Sequence, residues 1–246
     1  MVGEDKASQV YVRNKSKACN EIGIDFEEFL LPSNITMEKL LELIEELNNR
    51  KDISGILLQS PIPKPLNIRE AFNKIDYRKD VDGFNPINVG KLAIGEKSFI
   101  SCTPYGVVKM LEEYNINPEG KNVVIIGRSN IVGKPLLQCL LNKNATITIC
   151  HSKTSNLKEH TLNADILVAA VGVPGLVTGD MIKPGAIVID AGINRVEGKT
   201  VGDVDFASAE PVAGYISPVP GGVGPVTRTI LVANTLTAAE KLNGLD

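Results

Sequence analysis

Apolar positions along this chain follow two periods. Stretches in which apolar residues return every three or four positions predict helices over residues 5–23, 36–48, 67–75 and 103–114. In the second of these, Met37, Leu40, Leu41, Ile44 and Leu47 share one face. Short runs of aliphatic and β-branched residues predict strands over 26–31, 53–59, 122–126, 146–150, 166–171 and 186–190. Further helices begin near Pro135 and Ser155, and a last one covers 226–242. Ser60-Pro61-Ile62-Pro63 closes the second strand, because proline has no N–H to give a ladder. The alternation predicts an α/β fold with mainly parallel strands. The segment 115–121 is the natural boundary. It divides the chain into 1–116 plus 226–246, with the last helix packing back on the first domain, and 117–225.

The stretch KNVVIIGRSNIVGKPLLQCLL, Lys121 to Leu141, sets a buried strand against a glycine loop and a helix start. Backbone N–H groups and the helix dipole at such a junction suit a phosphate. Pro135 fits the first helical turn, where its missing N–H costs nothing. The pattern predicts a Rossmann-type dinucleotide-binding unit. The second glycine of the usual G-x-G-x-x-G is Ser129, so the loop alone leaves an ordinary α/β turn open. An NAD site places a carboxylate about 20 residues beyond the first glycine, on the ribose 2′-hydroxyl. Here the next strand ends in Cys150-His151-Ser152-Lys153-Thr154, with no carboxylate. Hydroxyls and a cation there, with Arg128, suit a 2′-phosphate and hence NADP, although a Ser-Lys-Thr run also reads as an ordinary solvated strand end.

Three other segments carry candidate chemistry. In SQVYVRNK, Tyr11 and Lys15 stand four apart and share a helix face with Ser8 nearby. An ammonium beside a phenol and a hydroxyl in a partly dry site can exchange a proton near neutral pH. A solvated lysine on an amphipathic helix is the plainer reading of the same spacing. Gln59 ends a strand before a proline turn, and Asp80 and Asp82 lie in a glycine-containing loop. Strand ends and the loops after them are where α/β proteins hold ligands, so Lys15, Gln59 and Asp82 are expected to converge. Pro218 to Pro225, PVPGGVGP, is a stiff loop with permissive points that brings backbone close to a ligand, or simply a rigid turn.

Composition narrows the partners. Across 246 residues the apolar share is 43%, the charged share 22% and the net charge −3, which argues against a nucleic-acid binder. No apolar run reaches the ~18 residues that span a bilayer, so no membrane partner is expected, and no signal peptide opens the chain. Cys19, Cys102, Cys139 and Cys150 show no metal-ligand spacing and read as reduced thiols of a cytoplasmic protein. With His151 and His160 as its two histidines, the chain is expected to carry no metal site.

Read together, SxxYxxxK (Ser8 to Lys15), LLQSPIP (Leu57 to Pro63), KDVDGF (Lys79 to Phe84), SCTPYG (Ser101 to Gly106), IIGRSNIVGKP (Ile125 to Pro135), CHSKT (Cys150 to Thr154), KPGAIVIDAGI (Lys183 to Ile193), VGDV (Val201 to Val204) and SPVPGGVGPVT (Ser217 to Thr227) resemble the bifunctional methylenetetrahydrofolate dehydrogenase/methenyltetrahydrofolate cyclohydrolase family. The resemblance spans nearly the whole chain and keeps the family order. It implies an N-terminal folate-binding catalytic domain, an NADP-binding domain, and two reactions of one-carbon folate metabolism. These are NADP-dependent oxidation of methylenetetrahydrofolate, then hydrolysis of the methenyl product to formyltetrahydrofolate. It implies that Tyr11 stacks on the folate rings, Asp82 hydrogen-bonds the pterin, Lys15 transfers a proton with Gln59 tuning it, and Gly221, Gly222 and Val223 shape the folate wall. It further implies that Gly127, Arg128 and Ser129 bind cofactor phosphates, that Ser152 and Arg128 select the 2′-phosphate, that Ile193 meets the nicotinamide side through its backbone, and that the chain forms a homodimer through the cofactor domain's sheet edge.

The family has an initial helix and strand ahead of the segment that opens here at Met1-Val2-Gly3, and it usually has Leu where this chain has Ser60. The first difference motivates a rival reading, a truncated NADP-binding protein without catalysis. A short-chain dehydrogenase also uses Tyr-x-x-x-Lys, but there the nucleotide loop precedes that pair, the reverse of the order here.

Overall fold

The computed structural model describes residues 1–245, the side chain of Ala7 excepted. The chain forms two compact units, Met1–Ile100 with Arg228–Asp246, and Ser101–Thr227.

The first unit is built on helices. α1 (Lys6–Glu21) starts where the Asp5 carboxylate accepts from the Ser8 N–H at 2.7 Å. α2 (Met37–Asn49) is capped by the Thr36 hydroxyl and buries Leu40, Ile44 and Leu47, three of the five residues the periodicity placed on its apolar face. α3 (Ile68–Lys74) follows. α4 (Pro86–Ala93) was not foreseen: the stretch reads as polar loop, yet Asn85 caps it and Pro86 sits in its first turn. The C-terminal helix, Val223–Leu242, joins this unit from Arg228 onward, as the sequence predicts. Its Asn234 amide donates to the carbonyls of Val81 at 2.9 Å and Ile100 at 3.2 Å.

The strands predicted over 26–31 and 53–59 are not regular strands. They are extended segments that make single bridges, Leu31 to Val2 and Ile56 to Asp80. Ile56 donates to the Lys79 carbonyl at 2.7 Å, but Pro61 and Pro63 cannot extend the ladder.

The second unit is doubly wound. α5 (Cys102–Glu113) belongs here rather than to the first unit, which corrects the expected boundary at 116. The reason is contact: the Ser101 hydroxyl donates to the Ile131 carbonyl at 2.6 Å, and Gly106 in α5 packs on Val226. A five-stranded parallel sheet follows, from β1 (Asn122–Ile126), β2 (Thr146–Cys150), β3 (Ile166–Ala169) and β4 (Ile187–Asp190). A hairpin of β5 (Asn194–Val196) and β6 (Lys199–Val201) stands apart, and β7 (Tyr215–Ile216) completes the sheet in the order β2-β1-β3-β4-β7. Helices α6 (Gly133–Leu141), α7 (Leu157–Thr161) and α8 (Phe206–Ala209) connect the strands. β1 and β3 are almost wholly buried, which explains their unbroken apolar sequence.

Candidate active site

The first unit brings three of its candidates together. Lys15, on α1, donates through Nζ to Gln59 Oε1 at 3.2 Å and stands 3.9 Å from Asp82 Oδ2. The Lys15 and Asp82 side chains are 14% and 13% exposed, so the group is half-sheltered yet reachable. Gln59 is fixed from its other end, where Nε2 donates to the Ser60 carbonyl at 2.8 Å. A carboxamide oriented this way must turn its oxygen toward the ammonium. Tyr11 lies one turn before Lys15 on the same helical face and is 39% exposed. Ser8 does not join this polar cluster: it is buried, and its hydroxyl has no partner among the described residues.

The loop that carries Asp82 is held by a buried scaffold. Asp80, 2% exposed, accepts from the Asn85 N–H at 2.8 Å and the Asn88 amide at 2.9 Å. Burial pushes its carboxyl above the ordinary range, against those hydrogen bonds. Asn234 holds the Val81 carbonyl next door. The sequence signalled Asp80 only as a loop carboxylate, Asn88 falls in the stretch that reads as polar loop, and Asn234 lies in the predicted last helix with nothing to mark it.

In the second unit the loop after β1 forms a tight cradle. Gly127 has φ +123°, and a Cβ there would run into the Ala170 carbonyl; a Cβ on Gly133 would run into the Gly127 carbonyl. Only glycine lets this loop close onto β3 and onto the start of α6. The Ser129 hydroxyl accepts from the N–H groups of Val132 at 3.1 Å and Gly133 at 3.4 Å. Its proton stays free to donate outward. Arg128 is exposed, and the N–H groups from Arg128 to Ile131 have no acceptor among the described residues. Such a cradle fits a pyrophosphate.

Ser152 is exposed at the tip of the turn after β2, next to β1 in the sheet. The Thr154 hydroxyl accepts from the His151 N–H at 2.9 Å, and the Lys153 N–H donates to His151 Nδ1 at 3.1 Å, so the turn is braced. Ile193, 48% exposed, follows β4. Gly221, at φ +107°, Gly222 and Val223 open the C-terminal helix.

Residues 1–82 match the family model for the tetrahydrofolate dehydrogenase/cyclohydrolase catalytic domain, and 101–243 match that for its NAD(P)-binding domain. The chain belongs to the tetrahydrofolate dehydrogenase/cyclohydrolase family. It is 56% identical over 238 residues to the bifunctional protein FolD of a Sulfurihydrogenibium species, covering 96% of this chain and 84% of that protein. The crystal structure of the Campylobacter jejuni bifunctional dehydrogenase/cyclohydrolase superposes with a TM-score of 0.96 at 49% identity, covering 98% of this chain and 86% of that one. The Trypanosoma brucei dehydrogenase-cyclohydrolase, solved with NADP and an inhibitor, gives 0.94 at 40% identity, covering 98% and 84%. Membership in this family also fits the order of the two domains along the chain, catalytic before nucleotide-binding.

Proposed function

We propose that Lys15, Gln59, Asp82 and Tyr11 are the catalytic set of a bifunctional enzyme. It oxidises methylenetetrahydrofolate with NADP and hydrolyses the methenyl product to formyltetrahydrofolate. The observation that carries this reading is the Lys15–Gln59–Asp82 cluster, three residues from distant segments converging on one ammonium.

Asp82 accepts hydrogen bonds from the pterin amino group and ring nitrogen, charge-assisted and geometrically selective. Tyr11, exposed on the same helix face as Lys15, stacks on the folate rings. Gly221, Gly222 and Val223 form part of the folate wall. As water adds to the methenyl carbon and the ring opens, Lys15 Nζ moves the proton and Gln59 keeps it aimed. In the second unit Gly127, Arg128 and Ser129 hold phosphates, Ser152 and Arg128 hold the 2′-phosphate, and the Ile193 backbone meets the nicotinamide side. Held there, NADP would supply the acceptor for the hydride of the bridging methylene carbon.

A non-catalytic NADP binder would have no use for the Lys15 cluster, and the matches extend over both domains. No helix among the described residues is long and apolar enough to cross a membrane. The four cysteines are buried and form no disulfide, which suits a reducing cytoplasm. A homodimer through the sheet edge beside β7 is part of the proposal, where Tyr114 and Tyr215 stay 60% and 54% exposed. Light scattering on the purified protein checks it. The experiment for the catalytic set is Lys15→Met assayed for both reactions, with loss of methenyltetrahydrofolate hydrolysis expected.

A further inference from the structure

Asp203, between β6 and α8, is fully buried and joins separate loops. Its Oδ2 accepts from the N–H groups of Val171 at 2.6 Å and Gly172 at 3.0 Å, just beyond β3. Its Oδ1 accepts from the Asn194 amide at 2.9 Å, just beyond β4. Asp190, the last residue of β4 and 3% exposed, braces this arrangement. It accepts from the N–H groups of Gly192 at 2.9 Å, Asp203 at 3.0 Å and Val204 at 2.8 Å, while its own N–H donates to the Ser217 hydroxyl at 2.8 Å. Glycine is required where the carboxylates approach: a Cβ at Gly192 would strike the Asp203 carboxyl, and one at Gly202 the Asp190 carboxyl.

Neither carboxylate forms an ion pair with a cation among the described residues. Burying two anions is costly, and only the converging N–H groups offset it. What the arrangement secures is geometry. The loops after β3 and β4 are tied to one point instead of being left to fluctuate separately.

Those loops have a definite place relative to the cofactor. In the order β2-β1-β3-β4-β7 the chain reverses direction across the sheet between β1 and β3, the switch point where a dinucleotide lies. Phosphates fall on the loop after β1, and the 2′-phosphate end falls on the β2 side at Ser152. The other half of the dinucleotide therefore lies beyond β3 and β4. We propose that Asp203, braced by Asp190, is a positioning residue for hydride transfer: it fixes the Val171–Gly172 backbone directly and the Gly192–Asn194 segment through the Asn194 side chain and Asp190, and these two loops seat the nicotinamide half. The proposal rests on the cofactor reading above.

Asp203→Ala, Asp203→Asn and Asn194→Ala test it in the intact chain, with calorimetric affinities for NADP and for adenosine 2′,5′-bisphosphate, which lacks the nicotinamide, beside kcat and KM for the dehydrogenase. Asp203→Ala is expected to bind NADP roughly tenfold more weakly and to lose more than that in kcat, with bisphosphate affinity held within about twofold. Asp203→Asn recovers most of the loss, because its amide oxygen still accepts from Val171 and Gly172. Asn194→Ala gives a smaller loss in the same direction. It also carries the test if Asp203→Ala does not fold. Equal weakening toward both ligands, or unchanged NADP affinity and kcat in Asp203→Ala or, where that variant does not fold, in Asn194→Ala, overturns the proposal. Wild-type protein that binds neither ligand overturns the cofactor reading and this proposal with it.

Discussion

Lys15 Nζ is 3.2 Å from Gln59 Oε1 but 3.9 Å from Asp82 Oδ2, so the ammonium is held by a neutral partner and only approached by a charged one. The single hydrogen bond to Gln59 leaves Lys15 with further donor capacity for a reacting atom.

Lys15→Met removes the proton carrier while keeping the length of the side chain. Hydrolysis of methenyltetrahydrofolate, followed by its absorbance, is expected to fall by about 10²-fold or more. Full turnover in the variant would remove Lys15 from its role. Gln59→Ala leaves the ammonium unaimed, and a smaller fall in kcat is expected in the same assay.

Ser152→Asp places a carboxylate against the 2′-phosphate on an exposed, braced turn. The kcat/KM for NADP is expected to drop by roughly tenfold or more while that for NAD changes less, because a like-charge contact penalises one ligand alone. An unchanged ratio of the two would contradict the placement of the 2′-phosphate at Ser152.

Much of this was legible in the residues. β1 to β4 read correctly because a run of apolar and β-branched residues marks a parallel strand, whereas the short β5, β6 and β7 carry no such run and went unpredicted. The caps Asp5 and Thr36 bound α1 and α2 almost where the periodicity stops. α4 was hidden because Asp76 to Gly90 is rich in polar and glycine residues, while its start depends on Asn85 bonding backbone. The extended segments near 26–31 and 53–59 have strand composition but find only single bridging partners, which composition does not reveal. Lys15, Gln59 and Asp82 were each visible as chemistry; their convergence needed the fold. Asp190 and Asp203 lie in recognisable motifs, but their function is to hold backbone groups that carry no sequence signature.

Asn234→Ala should destabilise the first unit by ~1–3 kcal/mol, since the Val81 and Ile100 carbonyls lose a buried donor. Urea unfolding measures this. The same variant should raise KM for folate, because Val81 precedes Asp82. A stability loss below the error of the measurement would show that solvent replaces the amide.

Asp80 gives a pH dependence with a definite sign. Burial raises its carboxyl in the folded state above the ordinary 3.8, so the folded chain holds that proton more tightly than the unfolded chain. Its contribution to stability is complete below the ordinary value and is lost as pH rises through the raised one. Asp80→Asn removes the titration. Wild type is therefore expected to lose stability relative to Asp80→Asn as pH is raised from about 4 toward neutrality. Urea unfolding of both proteins across that range gives the difference, and parallel profiles would contradict the prediction.

Burial pushes the Cys139 thiol up to about 12 and raises Cys19 and Cys150 as well. Native protein is expected to react slowly with a thiol reagent such as dithionitrobenzoate, and all four cysteines fast after denaturation. Rapid native labelling of Cys139 would show that α6 opens.

The most direct measurement is absorbance at the NADPH wavelength, with purified protein, methylenetetrahydrofolate, and NADP or NAD supplied separately. NADPH forming faster than NADH is the predicted result. No reduced cofactor from folded protein that still binds NADP would contradict the assignment of a working dehydrogenase to this chain.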